Sequence, residues 1–333
     1  KNASIADVAA EISKQTGNII TTQNWGGVRP VTLDVVDQPF WAVLDDACRQ
    51  AGVLPQSNMP RPNQIGLSLF PDSQYGQDAI YLDHGPIHLH LSQVTHQSFL
   101  TFPGKPRDYC TLQLDGLWEP RLNLMCYSTV GVPDTAVDDK GNSLVPPPGS
   151  TIGDPRNYYS GAASPDQFLQ YPNPAWGNQQ ISFAVQIAIP PNAGNRIAKI
   201  SGSFKFWMAE NFEPVTVSDT APPNRNALAF QTLNDGAKVF AWRQQNQVSI
   251  LIPGDSGSQW SEQPFHRFRL TGKDSAGNII HFYNSGGGSW SNNVWVGFFN
   301  SNNNAGFMNL KVEYADNVKE IDIPYQFANL PLP

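Results

Sequence analysis

The sequence predicts a mainly β protein: a small α+β domain at the N-terminus, followed by two immunoglobulin-like β-sandwich domains. Three observations predict this class. Only 15% of the 333 residues are charged, against about 25% in typical soluble proteins, so the surface cannot depend on salt-bridged helices. The chain also carries 27 Gly and 28 Pro, which favour turns. Helical periodicity is confined to residues 1–70, and short alternating segments follow it.

The first seventy residues predict the element order α-β-β-α-β. Ser4-Ile5-Ala6-Asp7 offers a helix N-cap with an acidic partner, and Gly17 supplies the end of that helix. A second helix is expected from Asp37 or Gln38 to the residue before Gly52. The predicted strands are Asn18–Thr22, Val31–Val36 and Gln64–Phe70. Together these elements form a small unit with two helices on one face of a sheet.

Two segments of this region, QTGNII after the first helix and VTLDVVDQPFWAVLDDACRQAGV, carry a family resemblance. Residues 1–70 resemble the short N-terminal (STN) domain of secretins and TonB-dependent receptors, with Lys1-Asn2-Ala3 as the end of that family's first strand. The resemblance implies an interaction module of the periplasm or cell surface, here residues 1–75, and brings no catalytic residue. The whole chain more loosely resembles uncharacterised secreted bacterial envelope proteins with large β-domains.

Short alternating segments separated by Gly, Pro, Asn and Asp fill the rest of the chain and are typical of β-sandwiches. Thirteen such strands are too many for one sandwich, so we expect one domain over 79–213 and another over 214–333. The turns Asp138–Asn142 and Asp274–Asn278 share the pattern D-x-x-G-N and predict hairpins with a left-handed glycine. The predicted strands are Ile80–Leu82, Ile87–Val94, Cys110–Leu114, Arg121–Cys126, Ile181–Ile189, Ile200–Trp207, Val239–Trp242, Gln247–Ile252, Phe265–Leu270, Ile279–Tyr283, Val294–Phe299, Met308–Tyr314 and Glu320–Ile323.

Two aromatic segments are candidate contact surfaces. Residues 145–176 predict a long loop, and such loops are uncommon unless they are functional or disordered. The segment 283–295 combines aromatics with glycines and amides, which suits a sugar face or a protein interface; core packing is the alternative. The candidate interaction residues are Tyr158, Tyr159, Tyr171, Trp176, Tyr283, Trp290 and Trp295.

Histidines on one strand raise the question of a metal site. His88 and His90 alternate, so their side chains share one face of the strand. With His84 or His96 they would supply three imidazoles to a metal ion. The alternative is a strand face that meets solvent or another part of the protein.

Two of the three cysteines lie in neighbouring predicted strands. If these strands pair about Trp118, Cys110 and Cys126 come close enough for a disulfide in an oxidising compartment. Two buried thiols are the alternative. Cys48 is expected to pack on a helix face as a small apolar residue.

Charge and motifs exclude several function classes. A net charge of −7 and a pI near 5.3 argue against nucleic acid or anionic lipid as the main partner. No apolar run approaches the ~18 residues of a transmembrane helix. Gly254-Asp255-Ser256-Gly257 stands without the rest of a serine-protease pattern, and the pair Asp45-Asp46 is expected on the polar face of a helix.

These observations predict a non-enzymatic structural or assembly protein of the bacterial envelope or an extracellular appendage. It would be secreted, to the periplasm, cell surface or medium, and would need no cofactor. Self-association into a homo-oligomer or polymer is expected, with other envelope proteins or glycans as further partners. The tail Ile321–Pro333 would lie extended over a neighbour, because its prolines disfavour a central strand. A carbohydrate-binding module is the alternative, and a hydrolase is a third, less favoured hypothesis.

Overall fold

A computed structural model describes most of the chain and confirms a mainly β protein with a small N-terminal α/β region. Strands make up 63% of the described residues, which also contain two helices, and none of the sheets is closed. The described residues are 2–22, 28–57, 66–72, 80–100, 107–119, 121–131, 133–147, 169–170, 180–221, 229–253, 267–273, 275, 277, 279–291, 294–301 and 308–333.

The N-terminal unit, residues 2–72, packs two helices on a three-stranded sheet. Strand β1 is parallel to β3, and β2 is antiparallel to β3, in the order β1-β3-β2. Trp41, Leu44 and Leu67 are fully buried in its core. The elements are α1 (Ile5–Thr16), β1 (Ile20–Thr22), α2 (Phe40–Ala51), β2 (Val53–Ser57) and β3 (Leu67–Pro71).

Local sequence signals set both ends of α1 and the C-terminal end of α2, as predicted, whereas α2 begins at Phe40 and not at Asp37 or Gln38. The Ser4 side chain accepts a hydrogen bond from the Asp7 backbone N–H, which satisfies a donor that α1 leaves open. Gly17 and Gly52 end the two helices with φ of 74° and 75°, a conformation that glycine adopts without steric cost.

The predicted strand Val31–Val36 is wrong beyond its first residue. Val31 exchanges two backbone hydrogen bonds with Ala3, and the Thr32 N–H is bonded by the side chain of Gln50. After this point no residue of the segment lies in a strand, and Val36 is 77% exposed. An alternating pattern makes a strand only where a neighbouring strand pairs with it.

The remaining strands form a five-stranded and a twelve-stranded sheet. The five-stranded sheet has the order β4-β5-β6-β11-β8. In the twelve-stranded sheet the order is β10-β7-β12-β20-β17-β18-β19-β16-β15-β13, with β9 on β12 and β14 on β15. The strands are β4 (Tyr81–His84), β5 (Ile87–Phe99), β6 (Arg107–Trp118), β7 (Leu124–Ser128), β8 (Val130–Gly131), β9 (Pro133–Asp138), β10 (Leu169–Gln170), β11 (Gln180–Ile189), β12 (Arg196–Val215), β13 (Val217–Ser218), β14 (Gln231–Thr232), β15 (Lys238–Gln244), β16 (Gln247–Pro253), β17 (Phe268–Lys273), β18 (Ile279–Ser291), β19 (Val294–Ser301) and β20 (Met308–Pro331).

Two hydrophobic cores lie on these sheets. The first core joins the five-stranded sheet to β7, β9 and the adjoining parts of β12 and β20, with Phe183, Phe204 and Tyr325 at its centre. The second core lies within the twelve-stranded sheet, where β15 and β16 contribute Ala241 and Ile250. Strand β18 pairs first with β17 and then with β19, so it connects the two parts of the sheet around this core.

Strands β12 and β20 belong to both cores and pair from Arg196↔Pro331 to Val215↔Val312. The tail predicted to lie over a neighbour is instead part of β20, and Phe327 is buried in the first core. Among the described strands, β17 pairs with β20 only as far as Tyr314, so the rest of β20 lies at an edge of the sheet. An edge strand tolerates the prolines of the tail, because an N–H group on its open side has no partner strand to face.

Both predicted D-x-x-G-N turns contain a left-handed glycine, Gly141 at φ 84° and Gly277 at φ 83°. In the first turn, the Asp138 carboxylate accepts hydrogen bonds from the backbone N–H groups of Lys140, Asn142 and Gly194 and from the Asn142 side chain. Burial alone would raise the pKa of Asp138, but these hydrogen bonds lower it to about 2. This carboxylate therefore holds two turns together.

Candidate functional site

His88 is buried where the N-terminal unit meets the five-stranded sheet. Its Nδ1 lies 2.6 Å from Oδ1 of Asp83 on β4, and its Nε2 lies 3.8 Å from Oδ1 of Asp45 on α2. The imidazole also stacks with the rings of Trp41 and Tyr81, at centroid distances of 4.9 and 5.2 Å. One side chain of β5 thus contacts both units.

Each nitrogen of this ring faces a carboxylate. Arg49 adds a cation at the other oxygen of Asp45, with its Nη2 3.6 Å from Oδ2. A buried carboxylate needs polar partners, and the imidazole and the guanidinium both face Asp45 where the two units meet.

A second polar contact joins α1 to the segment after β6. Asn18, 2% exposed, donates from Nδ2 to Glu119 and accepts the backbone N–H of Arg121 at its Oδ1. Arg121 also pairs with Glu119 at 2.8 Å. Leu117 of β6 enters the core of the N-terminal unit. With two polar contacts and a shared core, the N-terminal unit is docked firmly on the sheet.

Next to His88, a polar row crosses the sheet on the face opposite the first core. Tyr81, His90, Asp115 and Ser182 are directly opposite one another on β4, β5, β6 and β11. Ser182 Oγ donates to Asp115 Oδ1 at 2.7 Å and accepts from Gln113 Nε2 at 2.6 Å. Burial lowers the pKa of His90, an effect that Asp115 opposes and His88 strengthens.

The order of groups in this row decides its chemistry. A serine nucleophile is normally activated by a neighbouring histidine that a carboxylate orients. Here the carboxylate of Asp115 stands between Ser182 and His90, and the serine hydroxyl donates to that carboxylate. The row presents fixed hydrogen-bonding groups rather than an activated nucleophile.

The two histidines considered as candidate metal ligands have different surroundings. His88 contacts the N-terminal unit, and His90 belongs to the polar row. Of the other two candidates, His84 ends β4, and His96 lies 3.9 Å from Asp108 near the far end of β5. Over the part of the chain that the structure describes, no three His, Cys, Asp or Glu residues are grouped to hold a metal ion.

Asp45 is the site residue that sequence reasoning misplaced. It was expected on a solvated helix face, but it is 4% exposed and faces His88. The signal was present in the spacing, because Trp41, Asp45 and Cys48 recur at i, i+4 and i+7 and share one helix face. An acidic residue on an apolar face indicates a buried partner.

Cys110 and Cys126 do not lie on paired strands, so the pairing expected for a disulfide is wrong. Cys110 is on β6, between β5 and β11, and Cys126 is on β7, between β12 and β10. These strands belong to different sheets because the chain crosses over after Trp118. Both cysteines are buried thiols, and burial raises the pKa of Cys110 to about 11.

Of the aromatic candidates, the structure places only three backbones. Tyr283 and Trp290 lie on β18 and Trp295 on β19, so the described residues of the segment 283–295 belong to a paired hairpin. Interaction through these residues stays a prediction. Tyr158, Tyr159, Tyr171 and Trp176 lie outside the described residues, as does the tetrapeptide 254–257.

Comparisons with known proteins return no relative. No protein-family model matches the chain, and no curated protein or solved structure matches it. The resemblance to the STN domain therefore stays a prediction. Within the described residues, neither helix has the length and apolar character needed to cross a membrane.

Proposed function

We propose that the chain is a non-enzymatic structural or assembly protein of the bacterial envelope or an extracellular appendage, acting by self-association. In this proposal an STN-like unit precedes two immunoglobulin-like β-sandwiches, divided near Glu213-Pro214, with β12 and β20 shared between their cores. The docked N-terminal unit supports the proposal, since a firmly held unit presents its outer surface in a fixed orientation.

The observation that carries the proposal is the segment Val31–Val36. After the paired Val31, the described structure contains no backbone hydrogen-bond partner for residues 33–36. Val35 and Val36 are 43% and 77% exposed. Backbone N–H and C=O groups without partners, next to exposed β-branched side chains, are features of a site for strand addition.

The occupant that we propose for this edge is a strand from a second copy of the chain. Ala3 already pairs with Val31 in antiparallel register. An incoming strand that continues this register would lie opposite Val35 and Val36, and would cover part of their apolar surface. The low net charge per residue opposes such association only weakly, and salt screens it further.

The test is the molar mass of the whole chain, measured by size-exclusion chromatography with light scattering over a range of micromolar concentrations. We expect an oligomer for the native sequence, and self-association at least tenfold weaker for Val36→Asp, because a carboxylate would then enter an apolar contact. Leu100→Asp is the matched control, since Leu100 is 51% exposed but lies elsewhere. A monomeric native protein, or equal effects of the two variants, would contradict the proposal.

A further inference from the structure

The polar row beside the N-terminal unit combines features of a binding site that the assembly function does not use. Its four members, Tyr81, His90, Asp115 and Ser182, stand on successive strands. Because neighbouring strands are about 4.8 Å apart, the row extends over about 14 Å. It is therefore long enough to contact an extended ligand at several points.

Part of the hydrogen-bonding capacity of this row is unused. Asp115 accepts one bond from Ser182 at Oδ1, and no partner of its Oδ2 lies within the described residues. His90 is half-buried and lies opposite Asp115, so its ring is accessible from solvent. Half-buried polar groups can exchange water for the hydrogen-bonding groups of a ligand.

The groups of the row are also held in place before any ligand arrives. Gln113 donates to Ser182, which donates to Asp115, so the orientation of the carboxylate is fixed. Tyr81 stacks on the buried His88 at an interplanar angle of 21° and lies 6.1 Å from the His90 ring. Groups that are ordered in advance lose little conformational entropy on binding.

We propose that this row binds a neutral carbohydrate chain. Sugar hydroxyls would donate to Asp115 Oδ2 and exchange hydrogen bonds with the His90 ring, while the Tyr81 ring supplies apolar surface for a sugar C–H face. Asp115 carries the formal negative charge of the row, and the whole protein has a net charge of −7. An anionic ligand would therefore be repelled. This inference goes beyond the assembly function, and either can fail without the other.

The same sheet offers a matched control. His96 and Asp108 form a second His–Asp pair across β5 and β6 at 3.9 Å, and both side chains are about 40% exposed (40% and 42%). It consists of the same two residue types as the His90–Asp115 pair, but His96 is opposite the core residue Cys110, so this pair lies on the other face of the sheet from the row. Variants of the two pairs therefore separate the proposed site from a general effect of histidine or aspartate on this sheet.

The experiment is calorimetric titration of the whole chain with three neutral hexasaccharides: cellohexaose, maltohexaose and chitohexaose. We expect at least one to bind, with His90→Ala and Asp115→Asn each weakening binding tenfold or more, while His96→Ala and Asp108→Asn stay within about twofold. Thermal midpoints of all variants would show that each is folded, and the Val36→Asp variant should bind as the native chain does.

Three outcomes would overturn the inference. The first is that none of the hexasaccharides binds at millimolar concentration. The second is that a folded Asp115→Asn variant binds as tightly as the native protein. The third is that variants of both His–Asp pairs weaken binding equally. Loss of binding in Val36→Asp alone would instead place the ligand at the assembly edge.

Discussion

Replacing His88 with alanine should loosen the N-terminal unit from the five-stranded sheet. The imidazole is 4% exposed at its side chain and lies between the carboxylates of Asp45 and Asp83. Its removal takes away the imidazole that faces the Asp45 carboxylate, 5% exposed, across the junction, and it also removes the ring that stacks with Trp41.

The size of the effect follows from this burial. Removing one partner of a buried carboxylate typically costs about 3–5 kcal/mol, and the lower end of this range applies because Arg49, 51% exposed, stays 3.6 Å from Asp45. Taking the lower value, about 3 kcal/mol, the local opening of α2 should become roughly 100-fold more frequent. The double variant His88→Ala/Asp45→Ala should recover part of the loss, since it removes the stranded charge as well.

The assay is hydrogen–deuterium exchange of peptides covering α2, read by mass spectrometry. Exchange should be about 100-fold faster in His88→Ala. His96→Ala is the control, because its exposed partner at 3.9 Å contributes about 0–1 kcal/mol, and its effect on α2 should stay within a few-fold. If His88→Ala accelerates exchange less than threefold, or no more than His96→Ala, the argument from the buried charge is refuted.

Three further results are expected. Asp138, whose pKa is lowered to about 2, should stabilise the fold above about pH 4. This contribution should be lost as the pH falls towards about 2. Asp138→Asn should therefore lower the thermal midpoint at about pH 6, and the midpoint of this variant should change less between about pH 4 and pH 2. Gly116→Ala should cost about 3 kcal/mol in urea unfolding, because its Cβ would lie 2.2 Å from the His88 carbonyl oxygen; a loss below about 1 kcal/mol contradicts this. Cys110 and Cys126 should resist alkylation at pH 8 until the chain unfolds, and a linked peptide in a non-reducing digest would show this reasoning to be wrong.

The helices were predictable because their signals are local. Ser4 and Asp7 lie three residues apart and interact within one turn, and Gly17 and Gly52 end their helices through their own backbone conformation. No distant residue is needed for these features. The same argument explains why the turn around Gly141 was predicted correctly.

Strand lengths were not predictable, since a strand extends as far as its partner does. The alternation of β12 indicated Ile200–Trp207, whereas pairing with β20 continues from Arg196 to Val215. The prolines of β20 were understood as evidence against a central strand, which is correct, but an edge strand tolerates them. That this part of β20 is an edge depends on β17, which ends its pairing with β20 at Tyr314.

The candidate site depends even more on distant pairing. His90, Asp115 and Ser182 are separated by tens of residues and meet only through the register of β5, β6 and β11. A register shift between Leu91 and Gln93 changes which residues of β5 face β6 beyond it. The sequence identifies polar residues on strands, but it cannot state which of them are neighbours.

The way in which the parts are joined differs along the chain and has a physical consequence. The two cores share β12 and β20, so separating them would break backbone hydrogen bonds of both strands. Among the described strands, none of the N-terminal unit pairs with the five-stranded sheet, and the unit is held by side chains, chiefly His88, Asn18 and Leu117. Side-chain contacts can be remade after they open, whereas a broken ladder exposes many unpaired groups at once. This junction is therefore expected to open before the pairing of β12 with β20 does.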